Sequence, residues 1–184
     1  HGQRAAHPFG LQRAERAVVF LDIRGFTAWS EPQSPEAVVG LLNDFYRAAD
    51  TALRATPPIR TKYTADEVMA VFARADDAVT AASAMLCATR ERLAASGLGA
   101  GAGVHAGPVV EGVLGGESSK AYDFIGDTVN TAQRLCEAAG AGELLVSEAA
   151  CTAADLHASQ WRDVVSKGKR EPVRAAVLPE PRRA

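Results

Sequence analysis

Cysteine is scarce in this chain. Cys87, Cys136 and Cys151 are the three among 184 residues, and no spacing between them suits a metal ion. An odd, sparse set excludes a disulfide framework and points to reduced thiols in a cytosolic setting. Long apolar runs are lacking too. No stretch approaches the ~20 residues that a membrane helix requires, and none reads as a signal peptide. Charge of one sign is not in excess: 20 Lys and Arg against 22 Asp and Glu leave a formal net charge of -2. That balance lacks the basic footprint of a nucleic-acid binder. Like charges form no long run, and the basic end Pro181–Arg182–Arg183–Ala184 reads as a frayed tail over 180–184. Gly99–Gly107 is rich in glycine but lacks the strand–loop–helix pattern and lysine of a P-loop. No initiator methionine precedes His1–Gly2–Gln3, so the sequence is expected to be a piece of a longer protein whose regulatory part lies outside it.

What is present is ordinary globular material. Hydrophobic residues make up 47% and charged residues 23%, and 184 residues suffice for one domain with a core. Residues 1–15 read as a polar lead-in and 16–179 as the domain. The apolar, β-branched run Ala17–Leu21 reads as a buried strand ending on Asp22. Residues 28–34 read as a loop. Ser34 caps a helix that starts at Pro35 and runs to about Ala55. Two short strands, Ile59–Thr64 and Glu67–Phe72, form a hairpin whose tip is Ala65–Asp66. An alanine-rich helix follows from Asp76, then a strand that begins at Ala102–Ala106 and leads through Gly107–Pro108 into Val109–Leu114, and a further strand at Ala121–Ile125. A helix from Thr128, a strand at Leu144–Ser147, a short helix and a last strand pair complete the chain. This order predicts an α+β fold of the ferredoxin-like, split βαβ kind. Its sheet is mainly antiparallel, with helices on one face and a C-terminal extension.

The chemistry-bearing residues sit at the ends of these elements. Asp22 ends the first strand, and Asp66 tips the hairpin beside it. Two carboxylates without neighbouring Cys or His suit Mg²⁺ or Mn²⁺ rather than zinc. A single carboxylate at a strand end also fits a merely solvated turn. Asn130 and Arg134 lie four apart on one predicted helix and share a face. An amide beside a planar guanidinium suits a ribose and a phosphate. Lys167 and Lys169, in a glycine turn, are candidates for further phosphate contacts.

Three stretches together carry a resemblance. Phe20–Leu21–Asp22–Ile23–Arg24–Gly25–Phe26–Thr27 resembles the first metal motif of the class III nucleotidyl cyclase catalytic domain. Lys62–Tyr63–Thr64–Ala65–Asp66–Glu67–Val68–Met69–Ala70–Val71–Phe72 resembles the second. Tyr122–Asp123–Phe124–Ile125–Gly126–Asp127–Thr128–Val129–Asn130–Thr131–Ala132–Gln133–Arg134–Leu135 resembles the third. Ser166–Lys167–Gly168–Lys169 resembles the family's C-terminal lysine turn. The motifs stand in the family's order across residues 16–178.

The resemblance implies an adenylate cyclase that turns ATP into cyclic AMP and pyrophosphate. It implies that Asp22 and Asp66 hold two Mg²⁺ or Mn²⁺ ions per site, with the Ile23 carbonyl as a further ligand. Backbone amides at Gly25, Phe26 and Thr27 would hold the terminal phosphates, with Lys167 on the β- and γ-phosphates. Lys62 and Asp123 would select the base, Asn130 would orient the ribose, and Arg134 would stabilise the α-phosphate. The base choice has a physical reason. Adenine offers an acceptor at N1 and a donor amine at C6, matching a lysine that only donates and a carboxylate that only accepts. Guanine reverses both edges. The family's sites lie between two domains arranged head to tail, so a homodimer with two equivalent sites is implied, in a cytoplasmic setting.

Two residues depart from the pattern. Ala65 stands where the family has glycine, at a position glycine would fill for a positive φ. Glu67 adds an acid beside Asp66 and reads as a solvated turn residue, with an extra metal contact as the other reading. These departures favour an alternative: a catalytically weak nucleotide-binding module of the same fold that serves regulation or dimerisation. His105 reads as structural, Asp127 as a helix N-cap, and Glu111 as a strand-edge charge.

Overall fold

The computed structural model describes residues 10–165 and 171–179. In chain order the elements are β1 (Gln12–Arg24), α1 (Phe26–Ser30), α2 (Pro35–Leu53), β2 (Arg60–Thr64), β3 (Glu67–Phe72), α3 (Ala75–Ala94) and β4 (Gly99–Gly115). They continue as β5 (Lys120–Ile125), α4 (Asp127–Ala138), β6 (Glu143–Ser147), α5 (Glu148–Ala153), β7 (Trp161–Val164) and β8 (Val173–Pro179). One eight-stranded sheet runs β2-β3-β1-β4-β6-β8-β7, and β5 pairs with β4. Each pairing is antiparallel except β4 with β6. The α+β, mainly antiparallel expectation stands.

The helices, however, cover both faces of the sheet. Side chains alternate along a strand. On β1, Ala17, Val19, Leu21 and Ile23 join the core formed with α2, α3 and α5. Val18 and Phe20 join a second core with Met69, Val71 and the α4 residues Ala132 and Cys136. The expected one-sided cover is therefore corrected. The physical reason lies in the run Ala17–Leu21: it is apolar without alternation, as a strand buried on both faces must be. α4 can approach this closely because Gly103 has no side chain; a Cβ there would lie 2.3 Å from the Cys136 backbone nitrogen.

Other boundaries shift for related reasons. β1 begins at Gln12, inside the expected lead-in, and pairs with β4 through Gln12↔Glu111. β4 runs through Gly107 and Pro108 as expected, because the lengthened β1 carries the ladder past both residues. Glu111 is not an edge charge. It is 2% exposed and accepts hydrogen bonds from Arg16 Nε (2.8 Å), Arg16 Nη2 (2.7 Å) and Gln12 Nε2 (2.8 Å). α1 forms in the stretch expected as the start of a loop. Asp127 is the first residue of α4, and the N-cap is Gly126. His105 is structural as expected: its Nδ1 lies 2.7 Å from the buried Ser147 hydroxyl, which also caps α5.

Candidate active site

Asp22 and Asp66 meet at one end of the central strands. Asp22 pairs with Glu67 across β1 and β3. The Ile23 amide donates to the Asp66 carbonyl at 3.0 Å, which ties the tip of the β2–β3 hairpin to β1. The tip holds Ala65 at φ 47, so this alanine adopts the left-handed conformation that favours glycine. The Tyr46 hydroxyl of α2 donates to the Ala65 carbonyl and braces the turn.

The electrostatics of this pair are unfavourable by themselves. Burial, the Asp66 charge and a hydrogen bond between the two carboxyls push Asp22 up to about 7, against the pull of Arg24. Arg24 Nη2 lies 3.6 Å from Asp22 Oδ2. Burial also raises Glu67, opposed by a hydrogen bond from Gln133 and helped by Asp66. Among the described residues no group of three or more His, Cys, Asp or Glu side chains could hold a metal ion. The donor set is thus two adjacent, half-buried carboxylates, oxygen only, whose mutual repulsion a cation relieves. That set fits a hard divalent ion whose remaining positions go to water and substrate oxygens. Ile23 lies between these carboxylates in sequence, its side chain in the core.

Gly25 follows at φ 77 and N-caps the five-residue α1 without a side-chain bond. A helix's first turn leaves its backbone N–H groups without intrahelical partners. The Phe26 and Trp29 rings of α1 lie tilted with centroids 6.2 Å apart and pack on the core, which anchors the turn that presents Gly25, Phe26 and Thr27.

A second group forms where β5 crosses the α4 face of the sheet. Phe124 enters the core with Phe20 and Met69. Its neighbour Asp123 thereby reaches Lys62 of β2, with Nζ donating to Oδ2 at 2.5 Å. Asp123 Oδ1 accepts from its own following amide, Phe124 N, at 2.8 Å. Burial raises the Asp123 carboxyl, but Lys62, the Phe124 amide and Arg60 outweigh it and hold the group below its ordinary value.

Asn130 and Arg134 share the outer face of α4 as expected; Asn130 is exposed and Arg134 half-buried. Ala132, Leu135 and Cys136 turn inward. No hydrogen bond or ion pair links Asn130 or Arg134 to Asp22 or Asp66 among the described residues. Lys167 and Lys169 lie outside the described residues. The chain therefore brings together Asp22 with Asp66, and Lys62 with Asp123, and among the described residues bonds neither Asn130 nor Arg134 to either pair.

Two neighbours, Arg24 and Gln133, were not singled out from the sequence. Arg24 lies two residues beyond Asp22, on the same strand face. It pairs with Asp22, donates to the Glu137 carbonyl at 3.1 Å, and its Nη2 reaches Cys136 Sγ at 3.6 Å. Gln133 Nε2 donates to Glu67 Oε2 at 3.2 Å. Glu67 is thus a half-buried, hydrogen-bonded residue and not a freely solvated one. Gln133 sits three positions after Asn130 on α4, and that helical spacing was the one available signal.

A sequence profile described as "Adenylate and Guanylate cyclase catalytic domain" matches residues 12–175. An uncharacterised protein of Mycobacterium tuberculosis is 33% identical over 186 residues, covering 95% of this chain and 35% of the relative. A germination-specific adenylate cyclase of Dictyostelium discoideum is 33% identical over 149 residues, covering 74% of this chain and 17% of that protein. The chain spans about a third of the length of the mycobacterial relative. Among solved structures, the guanylyl cyclase Cya2 superposes with a TM-score of 0.84 at 26% identity, covering 92% of this chain and 94% of that one. The adenylyl cyclase CyaB from P. aeruginosa gives 0.80 at 28% identity, with 94% and 97% covered. The motifs, the fold and these matches agree: the chain belongs to the class III adenylate and guanylate cyclase catalytic-domain family.

Proposed function

We infer that this domain is an adenylate cyclase, acting at sites shared between two copies of the chain. The observation that carries the reading is the Lys62–Asp123 pair, one donor and one acceptor held 2.5 Å apart. Adenine exchanges with the pair edge for edge: Lys62 donates to N1, and the Asp123 carboxylate accepts from the 6-amino group. Asp123 keeps its Phe124 amide bond through Oδ1 while Oδ2 changes partner. Guanine presents N1–H to the lysine and O6 to the carboxylate. Each buried mismatch costs about 1–3 kcal/mol, enough for a strong preference.

The remaining roles are those the family resemblance implies. Asp22 and Asp66 would hold divalent metal, Mg²⁺ or Mn²⁺, two ions per site, with the Ile23 carbonyl beside them. Bound there, the metal supplies charge neutralisation and acidifies the ribose hydroxyl. The free amides at Gly25, Phe26 and Thr27, with Lys167, bind the β- and γ-phosphates. Asn130 fixes the ribose so that its 3′-oxygen lies in line with the α-phosphorus. That oxygen bonds to phosphorus, the bond to the β-phosphate oxygen breaks, and pyrophosphate leaves; the hydroxyl proton passes to solvent. Arg134 neutralises charge building on the α-phosphate oxygens. No covalent intermediate is needed, and positioning carries most of the rate.

A shared site is what the family resemblance implies, with the carboxylates of each site from one copy and the α4 face from the other. Among the described residues no hydrogen bond or ion pair joins Asn130 or Arg134 to Asp22 or Asp66, which is compatible with that arrangement. The β4–β5 ribbon also leaves Val110, Val113, Tyr122 and Ile125 exposed, an apolar strip suited to a second copy. Regulation is assigned to segments beyond the matched third of the relatives.

The alternative, a weak or inactive nucleotide-binding module, rests on Ala65 and its positive φ. Against it, the turn is closed by the Ile23–Asp66 bond and braced by Tyr46. The deciding experiment is turnover of ATP and GTP side by side with Mn²⁺ and with Mg²⁺. Cyclic AMP as the main product supports the reading. Cyclic GMP as the main product overturns the base assignment. ATP binding without any product shifts the reading to the module.

A further inference from the structure

Glu67 and Gln133 form a contact that the catalytic roles above do not use. Glu67 opens β3, next to Asp66 at the hairpin tip. Gln133 is on α4, between Asn130 and Arg134 in sequence, and its side-chain amide donates to both Glu67 oxygens, at 3.2 and 3.4 Å. The bond joins the acidic end of the sheet to the helix that presents the Asn130–Arg134 face.

Other contacts fix α4 in other senses. Gly103 sets its depth on the sheet, since backbone meets backbone there. Thr128, near the N-terminus, donates to the Pro108 carbonyl at 2.7 Å. Arg24 holds the C-terminal turn through the Glu137 carbonyl. The buried inner face of Ala132, Leu135 and Cys136, with the Cys136 thiol on the Gly101 carbonyl, sets the coarse rotation of the helix. Gln133 is one residue from Arg134 and about 60° around the helix from Asn130, so its bond adds a restraint on the direction in which both point. A misplacement of about 1 Å at a reacting centre can cost up to about 100-fold in rate.

We propose that Glu67 and Gln133 are positioning residues for the cyclisation, a clip that restrains the rotation of α4 and thereby aims Asn130 and Arg134. The proposal rests on the shared-site reading above. In that arrangement the clip of one copy joins the metal-binding half of one site to the α4 half of the other. A Glu67 change in one chain therefore acts on the site across the dimer, where that chain contributes α4 and no carboxylate.

The experiment uses this separation. A chain with Asp22→Ala is mixed with a chain carrying Arg134→Ala, which leaves one intact site per mixed dimer. That site draws its carboxylates from the second chain and its α4 face from the first. Recovered cyclic AMP formation verifies the shared site; no recovery overturns the shared site and the proposal with it. Glu67→Met is then added to the Asp22→Ala chain only, whose acidic end serves no working site. The clip predicts a fall in kcat of about 3- to 10-fold with KM for ATP within about twofold. Glu67→Gln at the same place, which can still pair with Gln133, restores kcat. Gln133→Met, again in the Asp22→Ala chain, reproduces the loss, with circular dichroism and melting temperature checking that the chain is folded. Unchanged kcat in both Met variants, with the parental mixture active, overturns the clip while leaving the shared site intact. A fall that Glu67→Gln does not restore also overturns it, because the loss then follows the charge and not the bond.

Discussion

At the scale of residues, the most constrained charge outside the site is Glu111. Burial alone would raise its carboxyl, but hydrogen bonds from Arg16 and Gln12 and the Arg16 charge outweigh burial and hold it below the ordinary value. A depressed carboxyl contributes stability above its unfolded pKa near 4.5 and loses it as pH falls through the lower folded value. Glu111→Gln leaves the Arg16 guanidinium, largely buried, without its counter-charge. It is expected to lower stability by about 2–4 kcal/mol at neutral pH. Denaturant melts of both proteins from pH 7 down to pH 3 check this: the difference between them should shrink on the acid side. Ala65 calls for the opposite change. A non-glycine residue in the left-handed region costs about 1–2 kcal/mol, part of which glycine returns as unfolded-state entropy. Ala65→Gly is expected to raise stability by about 0.5–1 kcal/mol and to leave cyclic AMP formation equal or higher. Lower stability in thermal melts would show that the turn holds alanine without strain.

At the scale of elements, α4 decides the site. It has an inner face of small and apolar residues and rests on glycine-bearing β4, which lets helix and strand backbones nearly touch. Gly103→Ala would drive a Cβ into the Cys136 nitrogen, the Ala132 carbonyl oxygen and the Leu135 carbonyl carbon, all within 2.8 Å. All are backbone atoms and cannot rotate away. The helix must lift, at a cost of about 3 kcal/mol. A fall in melting temperature together with loss of cyclic nucleotide formation is the expected result. An active, equally stable Gly103→Ala protein would mean that α4 does not rest on β4 in this way. The hairpin β2–β3 is the other deciding element. Its edge strand delivers Lys62 and its tip delivers Asp66, so one ribbon carries a member of the Lys62–Asp123 pair and a member of the acidic pair.

At the scale of the whole molecule, the proposed sharing of each site between two copies predicts second-order behaviour. Cyclic AMP formed per unit of protein should rise with protein concentration until the dimer saturates, and sedimentation should show the dimer appearing over the same range. Activity per unit of protein that stays constant while sedimentation reports only monomer contradicts a shared site. No helix among the described residues is long and apolar enough to cross a membrane.

The sequence alone determined the elements and their order. Ala17–Leu21 had to be a strand because its residues are apolar and β-branched, and Ser34–Pro35 had to start a helix because cap and first turn match. It also determined which residue types the site could use, since three spaced motifs carry carboxylates, a lysine, an amide and a guanidinium. Tertiary structure decided the rest. Whether α4 covers the same face as α2 and α3 depends on what the other face of β1 buries, and local periodicity expresses that only as a missing alternation. The partners of Glu111, Arg24 and Glu67 lie 95, 113 and 66 residues away in sequence. A polar residue carries no local mark of which distant group will satisfy it once both are out of water. Lys62 and Asp123 are 61 residues apart and meet only because Phe124 anchors β5 over the sheet. Packing of that aromatic ring brings the donor and the acceptor to one place.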